Sequence, residues 1–251
     1  MDISNKVKTA ACLIIGSEIM TGKTKDTNMH HLAVELFKNG IDLMEARHVR
    51  DIKQDIIDGV LGLSHKYDYV FTSGGIGPTH DDITTDAIAK AFKKDVLLNP
   101  KAHEILKAFY GDALNESRLK MAKIPQDANL ILNNITQAPG FKIENVFVMA
   151  GVPKIFIAML NEVLPYLQKG IPTKSVSHIF YLLEGDIAKP LTKIAHSYAK
   201  DGIDIGSYPT MEDGKWIVEI IVRSCDENLA KQIMQEIIED FRHIVPSFKS
   251  L

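Results

Sequence analysis

The chain has 251 residues, 45% of them hydrophobic and 24% charged, with a formal charge of −3, enough for one large domain or two modest ones and too apolar for a disordered chain. That charge balance excludes the broad basic footprint of a nucleic-acid binder. No apolar run approaches the roughly 20 residues that span a bilayer, and Met1 to Lys8 is polar without a signal-peptide core, so the expectation is a soluble cytoplasmic protein that engages no membrane.

Ala10 to Ile15 is a continuous apolar run, as in a strand buried on both faces, and Gly16 ends it. Ser17 to Lys25 reads as a polar loop. Asp26 or Thr27 can cap a helix carrying Leu32, Leu36 and Phe37, which Gly40 stops. Ile41 to Val49 reads as a strand. Asp51 can cap a helix burying Ile52, Ile56, Val60 and Leu63, and Tyr67 to Phe71 is a third strand. A glycine-rich loop and a helix from Ile83 to Phe92 follow. This β-α-β-α-β order predicts a mostly parallel sheet with helices on both faces. Further on, Pro100 to Tyr110 and Asn115 to Lys123 read as helices. Leu130 to Leu132 and Val146 to Met149 read as strands, and Lys154 to Leu167 as a helix. Gly170-Ile171-Pro172-Thr173 is a linker signal. Beyond it, Val176 to Leu183 is strand-like and Asp186 can cap a helix through Tyr198. Ile203 to Tyr208 and Trp216 to Val222 flank the hairpin signal Asp213-Gly214. Asp226 can cap a long helix with Leu229, Ile233, Ile237, Ile238 and Phe241 on one stripe. The β-α-β-β-α order predicts a small α+β domain of about 75 residues. Cys12 and Cys225 each adjoin an apolar run and are expected to be buried free thiols.

The chemistry concentrates in three loops. Thr72-Ser73-Gly74-Gly75-Ile76-Gly77-Pro78-Thr79-His80-Asp81-Asp82-Ile83-Thr84 joins a strand to a helix N-terminus, where backbone N–H groups suit a phosphate. It is neither the P-loop nor the dinucleotide fingerprint, because no Gly-Lys-Ser/Thr follows and Pro78 breaks the glycine register. The adjacent carboxylates would repel a bare phosphate. Asp82 is either the helix N-cap, accepting from Thr84 or Thr85, or with Asp81 a ligand for a metal ion bridging protein and phosphate. His80 reads as a solvent-facing loop residue and Asp86 as part of a solvated helix face. The second loop runs from Gly16 through Asp26-Thr27-Asn28 and lies on the same sheet edge. Glu18 and Asp26 are its candidates for metal binding or general-base work, against the simpler roles of solvent exposure and capping. The third, Ala138-Pro139-Gly140-Phe141, reads as a tight turn.

Together the segments Gly16-Ser17-Glu18-Ile19-Met20-Thr21-Gly22 with Asp26-Thr27-Asn28, the glycine loop, Ala138-Pro139-Gly140-Phe141 and Gly151-Val152-Pro153 resemble the MoaB/Mog-type molybdopterin-binding domain. The branch resembled is that of the competence/damage-inducible protein A N-terminal domain and the matching domain of FAD synthase. The resemblance covers roughly residues 8–170, so the expected organisation is a molybdopterin- or nucleotide-binding domain over 1–170 and a small KH-like domain over 171–251. It implies a three-layer α/β/α fold with a ligand crevice at these loops. Asp82, Asp81 and Asp26 would be the catalytic residues, with Asp81 and Asp82 holding the metal. Glu18, Thr27, Asn28, Thr72, Ser73, Gly74, Gly75, Gly77, Pro78, Thr79, Thr84, Pro139 and Gly140 would contact the ligand. Ser17 stands where many members carry Asp, and Thr136 where a Gly usually precedes the turn. By the same resemblance, the amidohydrolase and adenylyl-transferase domains of longer relatives are expected to be absent.

The function this implies is a pyrophosphatase acting on ADP-ribose or FAD-like substrates and dependent on Mg²⁺, Mn²⁺ or Co²⁺. The alternative is a protein that binds molybdopterin or a nucleotide without hydrolysis, linked to molybdenum cofactor metabolism. A homo-oligomer, dimer or trimer, is expected by the same resemblance. No nucleic acid is expected, since a KH domain clamps it with a Gly-x-x-Gly loop and none occurs between Val176 and Leu251.

Overall fold

Every residue from Ala10 to Ile15 is buried, so strand β1 (Lys8–Ile15) has no solvent face. Only a central strand covered on both sides accommodates such a run. The computed structural model describes residues 7–200 and 202–244. The polar start read at Met1 to Lys8 and the end of the expected second domain fall partly outside these. The chain divides into two compact units, Met1–Gly170 and Ile171–Leu251.

In the first unit β1 leads through a helical turn, α1 (Ser17–Met20), to α2 (Asn28–Lys38) and β2 (Ile41–Val49). Then come α3 (Lys53–Ser64), β3 (Tyr69–Ser73) and α4 (Thr84–Ala91). A two-stranded ribbon of β4 (Val96–Leu98) and β5 (Lys123–Pro125) brackets α5 (Pro100–Tyr110) and α6 (Glu116–Leu119). β6 (Asn129–Ile131), β7 (Gly140–Ile143), β8 (Val146–Met149) and α7 (Pro153–Val163) complete the unit. The main sheet has the order β2-β1-β3-β8-β7-β6. Its first four strands are parallel, and β7 and β6 are antiparallel additions.

Two cores make this a three-layer α/β/α fold. Ala10, Cys12, Ile14, Phe71, Phe147 and Met149 face α2 and α7, meeting Leu32, Leu36, Phe156 and Leu160. Ala11, Leu13, Ile15, Val70, Val146 and Val148 face α3 and α4, meeting Ile56, Val60, Leu63 and Ile88. Each such fully buried aliphatic side chain contributes about 1.5–3 kcal/mol. Burial, and after it the Asp26 charge, pushes the Cys12 thiol well up, so it is an inert core residue.

In the second unit β9 (Lys174–Phe180), α8 (Glu184–Ser197), β10 (Asp204–Glu212), β11 (Lys215–Ser224) and α9 (Glu227–Ile244) form an antiparallel sheet of order β10-β11-β9 with two helices. Phe180, Val218, Ile220 and Val222 pack on Ile187, Ile194, Ile233, Ile237 and Phe241. Asp213 (φ 48°) and Gly214 (φ 74°) form the left-handed turn that the hairpin needs.

Several expectations are corrected. Asp51 does not cap α3; its carboxylate takes the backbone N–H of Ser17 instead, at 2.8 Å. Ile52 is 40% exposed rather than buried. Asp186 lies inside the first turn of α8, whose N-cap is Leu183. Asn115 does cap a helix, but that helix is four residues long and gives way to a 3₁₀ turn and β5. Cys225 is exposed. Of Asp26 and Thr27, Thr27 holds the N-cap position without a side-chain bond, and the Asp26 carboxylate takes the N–H groups of Asn28 and Met29; Asp226 caps as expected, accepting from Asn228 and Leu229.

Candidate functional site

β1 and β3 are neighbours, and their following segments emerge at the same carboxyl edge of the sheet. The chain goes from β1 to β2 on one side, then returns to β3 on the other. A crevice opens at such a reversal. Here it is a cleft of about 590 Å³, a size that takes a nucleotide or pterin.

The glycine loop forms one wall. Gly74 (φ 113°) has its Cα so close to β1 that a Cβ would lie 2.1 Å from the Ile15 carbonyl oxygen. At Gly75 (φ 71°) a Cβ would lie 2.1 Å from the Thr84 hydroxyl. These positions require glycine both for backbone conformation and for space. Among the described residues, no protein acceptor takes the N–H of Gly75, Ile76 or Gly77.

Of the two readings of Asp82, capping fails: it does not cap α4. The N-cap of that helix is Ile83, with no side-chain bond. The Asp82 carboxylate instead accepts the Thr79 N–H at 2.8 Å and the Thr79 hydroxyl, folding the loop on itself. Lys120 fixes the loop from outside, donating to the Thr79 and Asp82 carbonyls, both at 2.7 Å. Asp81 is exposed at the tip. The nearby Thr79 hydroxyl, its own backbone N–H and the charges of His80 and Lys120 hold its carboxyl below the usual range. The hydroxyl proton itself goes to Asp82, so Thr79 stands between the two carboxylates. His80 and Asp86 are exposed, as expected.

The opposite wall comes from the loops after β1 and β2. Glu18 on α1 lies over Gly16, where a Cβ would sit 2.7 Å from its carboxylate. Ser17 and Asp51 bind one another, Asp51 taking the Ser17 N–H and Ser17 the Asp51 N–H. Ser17, which stands where many members carry Asp, therefore ties two loops together. The third wall is the turn before β7. Buried Asn133 organises it, accepting from the N–H groups of Ile135 and Thr136 and donating to the Ala138 carbonyl. Thr136, Ala138 and Pro139 line the cleft, whereas Gly140 is buried against β8, with the Val148 oxygen where its Cβ would be.

Of the expected residues, Glu18, Gly74, Gly75, Gly77, Pro78, Asp81, Asp82 and Pro139 line this cleft. Asp26, Thr27, Asn28 and Ser73 line a smaller adjoining notch that shares Glu18 with it. Thr72 and Thr84 are buried beneath, with hydroxyls lacking a partner among the described residues, and Thr79 supports the loop through Asp82. Sequence reasoning missed Asp51, and it missed the apolar wall of Tyr110, Met121, Val152, Ile155 and Met159. Asp51 could have been found as the acid just beyond the end of β2, on the same sheet edge. Four carboxylates, Glu18, Asp51, Asp81 and Asp82, face the cleft, and no Lys or Arg is among its lining residues. Lys120 and Lys123 lie in a separate hollow beyond Gly77. Among the described residues no three His, Cys, Asp or Glu side chains cluster to hold a metal ion.

Comparison with known proteins gives a family. The model of a "probable molybdopterin binding domain" matches residues 11–169, and that of the "FAD synthase, middle domain" matches residues 160–247. A "Probable FAD synthase" of Caenorhabditis elegans is 29% identical over 95% of this chain, which spans 50% of that protein. A Pyrococcus furiosus protein, PF0476, is 33% identical over 90% of this chain and 94% of its own length. The solved structure of CinA, a protein of unknown function from Thermoplasma acidophilum, is 33% identical, with a TM-score of 0.61 over 64% of this chain and 98% of that one.

Proposed function

This chain belongs to the probable molybdopterin-binding domain family, and on that premise we propose that its cleft binds a phosphorylated pterin or nucleotide and hydrolyses the diphosphate of ADP-ribose or FAD-like molecules with a divalent metal ion. One observation carries this reading. Gly75, Ile76 and Gly77, whose N–H groups have no protein acceptor among the described residues, line a cleft that also carries four carboxylates and no Lys or Arg. An anion entering such a site needs a cation with it.

The donor set fits a hard ion. Carboxylate oxygens without imidazole or thiolate suit Mg²⁺ or Mn²⁺. Asp81 and the Asp82 oxygen that Thr79 leaves free would hold it, with ligand phosphates and water completing the shell, as is usual for Mg²⁺. When bound, such an ion neutralises phosphate charge and lowers the pKa of water. The N–H groups of Gly75, Ile76 and Gly77 hold a phosphate oxygen, and Tyr110, Ile155 and Met159 offer an apolar bed for a ring. Glu18, which lines the cleft, takes the proton of the attacking water. Water adds to one phosphorus and the bridging oxygen leaves, so ADP-ribose gives AMP and ribose 5-phosphate.

A second reading, binding without hydrolysis, is favoured by one detail: an Asp82 oxygen is already committed to Thr79 and, among the described residues, no third His, Cys, Asp or Glu joins the pair. Incubation with ADP-ribose or FAD and Mg²⁺, Mn²⁺ or Co²⁺ separates them. AMP release supports the pyrophosphatase. Ligand-induced thermal stabilisation without AMP under any metal supports pure binding. The proposal includes a homo-oligomer, read by light scattering. Among the described residues no helix is long and apolar enough to cross a membrane.

A further inference from the structure

In β11 of the second unit, Val218, Ile220 and Val222 pack on α8 and α9. Side chains alternate along a strand, so Glu219, Ile221 and Arg223 belong to the other face of the sheet. The register fixes their neighbours on that face. Tyr208 and Ile179 flank Glu219, Gly206 and Ser177 flank Ile221, and Asp204 and Ser175 flank Arg223. Tyr208 is 44% exposed and Ile179 47%. Both helices of the unit pack on the first face, so within the unit the second face has no covering layer. A sheet face that stays solvated is ordinarily polar, and this one carries apolar and aromatic side chains at its centre.

Its charges are incompletely matched. Arg223 donates to the Asp204 carboxylate at 2.7 Å and to the Tyr208 hydroxyl at 2.8 Å. A guanidinium has five N–H donors, so it can take a further acceptor. Glu219 is half-buried between Tyr208 and Ile179, with no hydrogen bond or ion pair among the described residues. A carboxylate in that setting gains from a cation brought to it.

A second copy of the same face supplies that cation. A two-fold axis crossing the strands at Ile221 lays β11 antiparallel over its copy. Ile221 then meets itself, and Glu219 comes opposite Arg223 of the second copy, twice by symmetry. Bulk matches as well as charge. Tyr208 and Ile179 come opposite the short Asp204 and Ser175 of the second copy, and Gly206 and Ser177 beside Ile221 leave room for close approach. Other axes fail. One at Glu219 sets that carboxylate against itself and Lys215 against Arg223, and one at Ile217, only 5% exposed, has no surface left to bury. An axis along the strand sets every charge against its own kind. We infer that this face joins two copies of the chain across a two-fold axis at Ile221, with Glu219 and Arg223 paired between them. Three strands about 4.8 Å apart and seven residues at about 3.4 Å give a patch near the small end of specific interfaces, so the dimer is weak and concentration-dependent. The inference is independent of the cleft reading.

The test is the mass of the whole chain by light scattering from about 1 μM to about 200 μM. The natural chain is expected to pass from one copy to two with a midpoint on the order of 10 μM. Glu219→Lys sets like charges together and Ile221→Asp places a charge at the axis, and each is expected to weaken the dimer at least about tenfold. A second measurement uses chains in which the exposed Cys225 is replaced by Ser. Ile221→Cys in that chain is expected to couple to its copy through a short bis-maleimide, since stacked sheets lie about 10 Å apart, and Thr210→Cys, off the axis on the same face, is expected to couple far less. A single copy at every concentration overturns the inference and leaves the face to another kind of partner. A dimer that neither charged variant weakens, or equal coupling at the two cysteine positions, also overturns it, because the copies then meet elsewhere. Should the charged variants fail to fold, the coupling decides alone.

Discussion

Asp82 accepts both the backbone N–H and the hydroxyl of Thr79, so the second carboxylate of the glycine loop shapes the loop instead of starting the helix after it. Its free oxygen is then the only part available to a ligand. Asp82→Asn keeps one acceptor for Thr79, whereas Asp82→Ala keeps none. Asn should therefore leave thermal stability nearly unchanged and lower metal-dependent turnover at least about a hundredfold. Ala should also cost about 1 kcal/mol, a Tm drop of about 2–4 °C. Equal turnover in natural and Asn proteins would remove Asp82 from the chemistry.

Gly75 and Gly22 both have positive φ, 71° and 74°, but a Cβ added at Gly75 would lie 2.1 Å from the Thr84 hydroxyl, whereas one at Gly22 would meet nothing within 4 Å. Gly75→Ala should therefore destabilise by about 2 kcal/mol or more, strain and clash together, while Gly22→Ala should cost only the strain, about 1 kcal/mol. Urea unfolding of the two variants checks the order. A reversed order would contradict the packing described for the loop.

Lys120 holds the loop through the Thr79 and Asp82 carbonyls. Lys120→Met removes both bonds and should cost about 1.5–3 kcal/mol, together with a rise in KM for the diphosphate of roughly tenfold as the loop N–H groups lose their register. Unchanged KM would mean that the loop keeps its shape without this staple.

The Tyr67 hydroxyl, then Lys66 and Arg47, hold the Glu45 carboxyl down from its ordinary 4.5 to about 2. A carboxyl whose folded pKa lies below its unfolded one stabilises fully above the unfolded value and loses that contribution as pH falls through the folded one. Stability should therefore decline between about pH 4.5 and pH 2, and Glu45→Gln should flatten that decline in a Tm-against-pH series. Parallel curves would contradict it. Asp81 is shifted in the same direction, so its protonation should not limit activity until below the ordinary aspartate range.

The sequence made much of this visible. Ala10 to Ile15 and Val146 to Met149 read as strands because strands buried on both faces are continuous apolar runs, and Asp26 and Asp226 read as caps because a lone Asp before a helical stripe has few rivals for its carboxylate. At Asp82 the rival was local: Thr79, three residues back, offers two donors, and such side-chain turns compete with capping. β4 and β5 were missed because three-residue strands carry no periodicity and pair only with each other. β7 was hidden because it begins at Gly140, which reads as part of a turn. In the site, the strand–glycine–helix pattern marked the crevice. Lys120 could not be seen, since it lies 41 residues from Thr79 and the contact exists only in the fold.

The central claim is that an anionic diphosphate enters a cleft whose lining residues supply four carboxylates and no cation. The most direct test is calorimetric titration of ADP-ribose with and without Mn²⁺. The account predicts binding at least about tenfold tighter with the metal, with the gain lost in Asp81→Asn. Equal affinity in Mn²⁺ and in EDTA, or a full metal effect in Asp81→Asn, would contradict it.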